Sequence, residues 1–215
     1  RPKAVSALFL KSTIYESQRR FGRAAATMRQ VVILQPENEQ ARLMLGMYYS
    51  MGSKVKEALI EFDQILKKNK GNTAAAYWRA DTRLNIVDHQ GARKDYELVL
   101  EANPKHEATL NNLAWLLATS PEDKLRDGKR AVELALQASA SSQYKKPHIL
   151  STLAAAYAEA GDYDKAVEWS TKAVELGRED IQEQLEAELK SYEEKKPWRE
   201  KKELPESKDV PMKAI

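Results

Sequence analysis

The feature that most restricts this chain is that it matches itself when shifted by 34 residues. Ala24, Ala58 and Ala92 fall in one column, Met28, Phe62 and Tyr96 in a second, and Val31, Ile65 and Val99 in a third. Pro36 and Pro104 close two of the units, and Lys70 stands at the same place in the unit between them. Tyr15 and Tyr49 also align, with Arg83 in place of a third tyrosine. Agreement of several independent columns at one period implies a repeated supersecondary unit. A unit this small cannot bury an apolar face alone, so its copies must stack on one another.

The clearest copy runs from Pro147 to Gly177 and reads as helix, turn, helix. Leu150, Leu153 and Tyr157 keep the three-and-four spacing of one helical face, and Ala154, Ala155 and Ala156 leave room for a close neighbour. Gly161 tolerates the positive φ that follows many helix ends, and Asp162 is suited to cap the next helix. Ala166, Ser170 and Ala173 then share one face, with Val167 and Val174 beside it.

This pattern resembles the tetratricopeptide repeat (TPR) family, and the resemblance spans roughly residues 5–177. It implies an all-α, right-handed α-solenoid of about five helical hairpins plus a C-terminal capping helix. The units fall at about 5–36, 39–70, 73–104, 107–142 and 147–177. Leu8, Tyr15, Ala24, Met28 and Pro36 carry the first unit, and Leu45, Gly46, Tyr49, Ala58 and Phe62 the second. Lys11 departs from the usual leucine, and the first helix of the third unit is the least typical. In the fourth unit Ala92 to Ala131 stretches to 39 residues, so a loop insertion is expected at 119–128, with Pro121 ending a helix and Asp127 capping the next. Ile181, Leu185, Leu189 and Tyr192 mark residues 179–195 as an amphipathic cap for the last hairpin. The charged, proline-containing residues 196–215 are expected to be extended or disordered, with Trp198 pinning their start.

Composition removes several function classes. The chain has no cysteine, so disulfides, thiolate zinc sites and thiol catalysis are excluded and the redox compartment is unreadable. No apolar run approaches the ~18 residues of a membrane-spanning helix, so no membrane insertion is expected. The net charge of +3 is uneven, with 17 basic against 11 acidic residues through Pro104 and 18 against 21 beyond it. The basic clusters have acidic neighbours and form no continuous stripe, so nucleic acid is not an expected partner. His89, His106 and His148 lie in different units and read as surface or cap residues. No HExxH, GxxxxGK[ST], GxSxG or strand-linked GxGxxG occurs, so neither a catalytic constellation nor a metal or cofactor site is expected. Because the sequence starts at Arg1, compartment and any preceding domain are not read from it.

The resemblance implies that the first helices of successive units line a concave groove. Mapped residue by residue, the groove positions are Phe9, Leu43, Met44, Met47, Tyr77, Trp78, Asp81, Asn111, Asn112 and Trp115. Methionine adapts to varied partners and large aromatics anchor interfaces. The expected function is a non-enzymatic scaffold that binds a hydrophobic or amphipathic peptide segment of another protein there. Against this stands burial of the same side chains by tight curvature or by the C-terminal tail. The carboxylate clamp by which some TPR co-chaperones hold chaperone tails is not expected. One frame gives Phe9, Thr13, Met44, Ala74 and Trp78, the next Leu43, Met47, Trp78, Ala108 and Asn112, and neither has the cations. Two alternatives remain: a structural module that self-associates, and the helper region of a larger enzyme.

Overall fold

A computed structural model describes residues 2–200, with side chains from Ala4 onward. Among these residues there is no strand. The helices are α1 (Pro2–Ser17), α2 (Phe21–Leu34), α3 (Glu39–Met51), α4 (Val55–Lys68), α5 (Thr73–Leu84), α6 (His89–Ala102), α7 (Glu107–Thr119), α8 (Gly128–Ser141), α9 (Pro147–Glu159), α10 (Tyr163–Leu176) and α11 (Glu179–Glu193). Within each compact unit most connections are a few residues long, which makes consecutive helices there antiparallel neighbours. The chain divides into two compact units, one built on Arg1–Asp88 and the other on His89–Lys201. Of the expected tail, residues 196–200 belong to the second unit and 201–215 lie outside the described residues.

Short polar residues set the helix starts. Asn38, Asn72, Asp127 and Asp162 each accept a hydrogen bond from the backbone N–H three residues on, at 2.9 to 3.2 Å. Each such cap contributes about 1 kcal/mol. His106 caps α7 in the same way, its Nδ1 accepting from Thr109 N at 3.3 Å. The turns also follow the period: Arg19, Ser53 and Val87 all have positive φ, at 55°, 59° and 62°. In the clearest copy that place is taken by Gly161, φ 86°, where no Cβ resists the conformation.

In the first unit the core joins Ala24, Ala25, Met28 and Val31 of α2 to Ala41, Leu45 and Tyr48 of α3. Gly46 explains how α4 comes so near to α3. A Cβ there would lie 2.6 Å from the ring of Phe62, itself fully buried. The Arg42–Glu61 ion pair, 2.7 Å and largely shielded, joins the same two helices. Thr82 Oγ1 on α5 hydrogen-bonds with Ser50 Oγ on α3 at 2.8 Å.

In the second unit Ala131, Ala135, Ala138, Ala166 and Ala173 are all fully buried. Where earlier units have Met28, Phe62 or Tyr96, the last two have only Ala135 and Ser170. Trp169 supplies the missing bulk in the last hairpin: it packs against Leu150, Ala173 and Leu185 and stacks on Tyr144 with ring centroids 5.3 Å apart. The insertion between α7 and α8 is pinned rather than loose. It holds a short 3-10 turn, Asp123–Leu125, and buries Leu125. Gly128 follows because a Cβ there would strike the backbone of Ala160 at 2.6 Å.

Helix α11 covers α10 and α9 with Leu185 and Tyr192. It also buries a carboxylate. Glu188 is fully buried, receiving Ser151 Oγ at 2.5 Å and Gln184 Nε2 at 2.8 Å. Burial raises its pKa above the ordinary 4.5, and the two hydrogen bonds only partly oppose this. At pH values between the unfolded and folded pKa, the folded chain binds more of this proton than the unfolded chain does. The associated stability is full below the ordinary glutamate range and is lost as pH rises through the folded pKa. Glu188→Gln, with the Gln184 amide turned to accept, should be the more stable protein at neutral pH. Its urea midpoint should fall less than the parent's between about pH 4 and 8; equal slopes would show that Glu188 does not carry the dependence.

Candidate functional site

The positions expected to form one groove fall into two sets, one in each unit. In the first unit Phe9 on α1 and Met44 on α3 pack against the core around Met28 and Leu45 and remain half-buried. Leu43 and Met47 on α3 and Tyr77, Trp78 and Asp81 on α5 are half-buried as well. The Tyr77 and Trp78 rings meet edge to face at 6.0 Å.

In the second unit Asn111, Asn112 and Trp115 lie along α7. Asn112 donates to the Tyr96 hydroxyl at 3.4 Å, and Asn111 donates to Asn112 Oδ1 at 3.2 Å. The buried Asn111 Oδ1 has no hydrogen-bond partner. Trp115, one turn further on, is engaged by the chain itself: its indole N–H donates to Glu200 Oε1 at 2.6 Å.

That contact belongs to a larger arrangement at the end of α7. A helix leaves its last four carbonyls without intrahelical partners. Here Asp127 N donates to Leu117 O at 2.9 Å, and Arg199 donates to Ala118 O at 3.2 Å. Glu200 N donates to Thr119 O at 2.9 Å, and Arg126 donates to Ser120 O at 2.8 Å. The two guanidinium groups also complement the negative end of the helix dipole.

Both arginines converge on Glu159 at the end of α9. Its two carboxylate oxygens accept from Arg126 Nε at 3.0 Å and pair with Arg199 at 2.5 Å. The Glu200 carboxylate has His89 Nε2 3.7 Å away on its other oxygen, while His89 Nδ1 lies 2.9 Å from Ser120 Oγ. His89 is therefore not the surface or cap residue expected from sequence: it is 3% exposed, at the start of α6. Trp198 is half-buried beside this cluster in the chain.

Residues 198–200 thus lie extended across the end of α7, held through main chain and side chains alike. Sequence reading missed His89, Glu159, Arg199 and Glu200. No local pattern joins them, since Trp115 and Glu200 are 85 residues apart. Among the described residues no three His, Asp or Glu side chains gather to hold a metal ion. No described helix is long and apolar enough to cross a membrane.

Glu159→Gln leaves the Arg126 and Arg199 guanidinium groups without their shared anion. It should cost about 1–3 kcal/mol in urea denaturation. Combined with Arg199→Ala, the loss should be smaller than the two single losses added, because both remove the same contact; strict additivity would mean that Arg199 and Glu159 do not interact.

Comparison with known proteins agrees on one family. The description "tetratricopeptide repeat" matches residues 9–72, 43–107 and 147–180, more than half of the chain. No curated protein matches in sequence. Among solved structures, a tetratricopeptide repeat protein from Parabacteroides merdae is 20% identical, with a TM-score of 0.72 over 90% of this chain and 75% of its own. MamA from Desulfovibrio magneticus is 17% identical, with a TM-score of 0.68 over 80% of this chain and 94% of its own. A thermophilic protein of the same repeat class from Thermus thermophilus is 16% identical, with a TM-score of 0.64 over 87% and 98%. At these identities the likeness is one of fold.

Proposed function

The chain belongs to the tetratricopeptide repeat family, and from that premise we propose that it is a non-enzymatic scaffold that binds a hydrophobic or amphipathic peptide segment of a partner protein. Proteins of this fold are in general interaction scaffolds rather than catalysts. The binding surface we assign in the first unit comprises Phe9, Leu43, Met44, Met47, Tyr77, Trp78 and Asp81. Asn111 and Asn112 lie on α7 of the second unit beside Trp115, whose indole N–H is already taken by Glu200. The observation that carries this reading is the half-burial of the apolar side chains on α3 and α5. Met47 and Trp78 keep part of their surface accessible on α3 and α5, which supports a partner contact there. Met47 adapts to its shape and Trp78 anchors it.

Panning a displayed random-peptide library against the intact chain should enrich hydrophobic or amphipathic sequences. Those peptides should bind at least about tenfold more weakly to a Met47→Asp/Trp78→Asp variant of unchanged helicity. Equal binding to both would remove this surface from consideration.

A second reading, self-association, is favoured by a separate observation. Leu10 and Ile14 on α1 and Ile33 and Leu34 on α2 are large, apolar and 47–69% exposed. Where such side chains adjoin one another, as Leu10 and Ile14 do one turn apart on α1, they offer a contact surface. On this reading light scattering should show a mass that rises with concentration and returns to that of one chain in Leu10→Lys/Ile33→Lys. A monomeric parent at every concentration would exclude it.

A further inference from the structure

The cluster at the end of α7 has the parts of a peptide-recognition site, and it is already filled. Glu159 and the Ala118 carbonyl take a guanidinium. The Thr119 carbonyl takes the N–H of the next residue in an extended backbone. The Trp115 indole N–H takes that residue's carboxylate, with His89 on its far side. The pocket thus distinguishes a basic residue from the acidic residue that follows it, and fixes the direction of the chain between them. Its receptor groups come from α6, α7 and α9, all within the second unit.

Nothing in these contacts needs the occupant to be covalently attached. The occupant is also lightly held by burial: Arg199 is 32% exposed and Glu200 34% exposed at the side chain. The receptor side is more enclosed, with Glu159 at 15% and His89 at 4%. A shielded receptor under a partly exposed occupant is the arrangement expected of an exchangeable ligand rather than of core.

We propose that this surface is a recognition site for extended protein segments carrying Arg followed by Glu, that Trp198–Arg199–Glu200 occupies it in cis, and that a partner segment of the same chemistry docks by displacing it. The proposal is separate from the apolar surface of the first unit and shares only Trp115 with the positions assigned above. The tether makes the internal segment a strong competitor, because a short linker gives an effective concentration on the order of millimolar. A segment in trans therefore sees a site that is open only for the fraction of time the internal one is released, and its apparent affinity is lowered by that fraction.

The test uses the full chain and a fluorescent amidated hexapeptide, Lys-Lys-Pro-Trp-Arg-Glu, which reproduces residues 195–200. Fluorescence anisotropy should show at least about tenfold tighter binding to Arg199→Ala/Glu200→Ala than to the parent chain, because the internal competitor is gone. Exchanging the last two residues of the peptide to Glu-Arg should weaken binding to that variant by about tenfold or more. Adding Trp115→Phe to the variant keeps the ring, removes the N–H and should weaken binding several-fold. Circular dichroism checks that each variant is folded. If the double variant is not, Glu200→Ala alone carries the same comparison. No saturable binding to a folded variant, or equal binding of the exchanged peptide, overturns the proposal. So does a parent dimer by light scattering that is lost in Arg199→Ala/Glu200→Ala, since that would give the site to a second copy.

Discussion

Close approach of helices at small residues is the constraint on which the rest of this structure depends. Ala24, Ala58, Ala92, Ala131 and Ala166 are all fully buried. Interior packing has little slack, and one added methylene is felt. With those positions small, the large residues can do the filling: Met28, Phe62 and Tyr96 each bury completely. Gly46 carries the same logic further, since Phe62 occupies the space where its Cβ would be. The period of 34 residues therefore records a packing requirement, met once per hairpin.

Where the period fails, other groups take over. The last two hairpins lack a large residue in the filling column. Trp169, one position away from Ser170, packs on Leu150 and stacks on Tyr144 instead. The insertion before α8 is held by Leu125 in the core and by Arg126 on Ser120 O and Glu159. The same arginine prepares the anion that Arg199 meets. An irregularity in the repeat and the site at the end of α7 are thus built from shared residues.

The two candidate surfaces differ in physical kind. The α3 and α5 positions of the first unit are apolar and half-buried, suited to a partner recognised through contact area. The end of α7 in the second unit is polar and directional. Its carbonyls and the Trp115 N–H are fixed by the helix, so little reorganisation is needed to receive an extended chain. Glu188 shows the cost of placing charge without such a partner: with only neutral donors it stays buried and its pKa rises.

The amino-acid sequence by itself determined the family, the all-helical class and the alanine and aromatic columns. These follow from local spacing, and stacked hairpins contact mainly their neighbours. It also located Asp127 and Asp162 as places where helices start, because a cap acts within three residues. Tertiary structure alone decided the fate of His89, Glu159, Arg199 and Glu200. They meet through the folding of residues 198–200 across α7, over separations at which sequence spacing carries no signal. Trp115 shows the division most clearly. Its place on a first helix followed from the family resemblance, whereas its engagement by Glu200 depended on a segment 85 residues away.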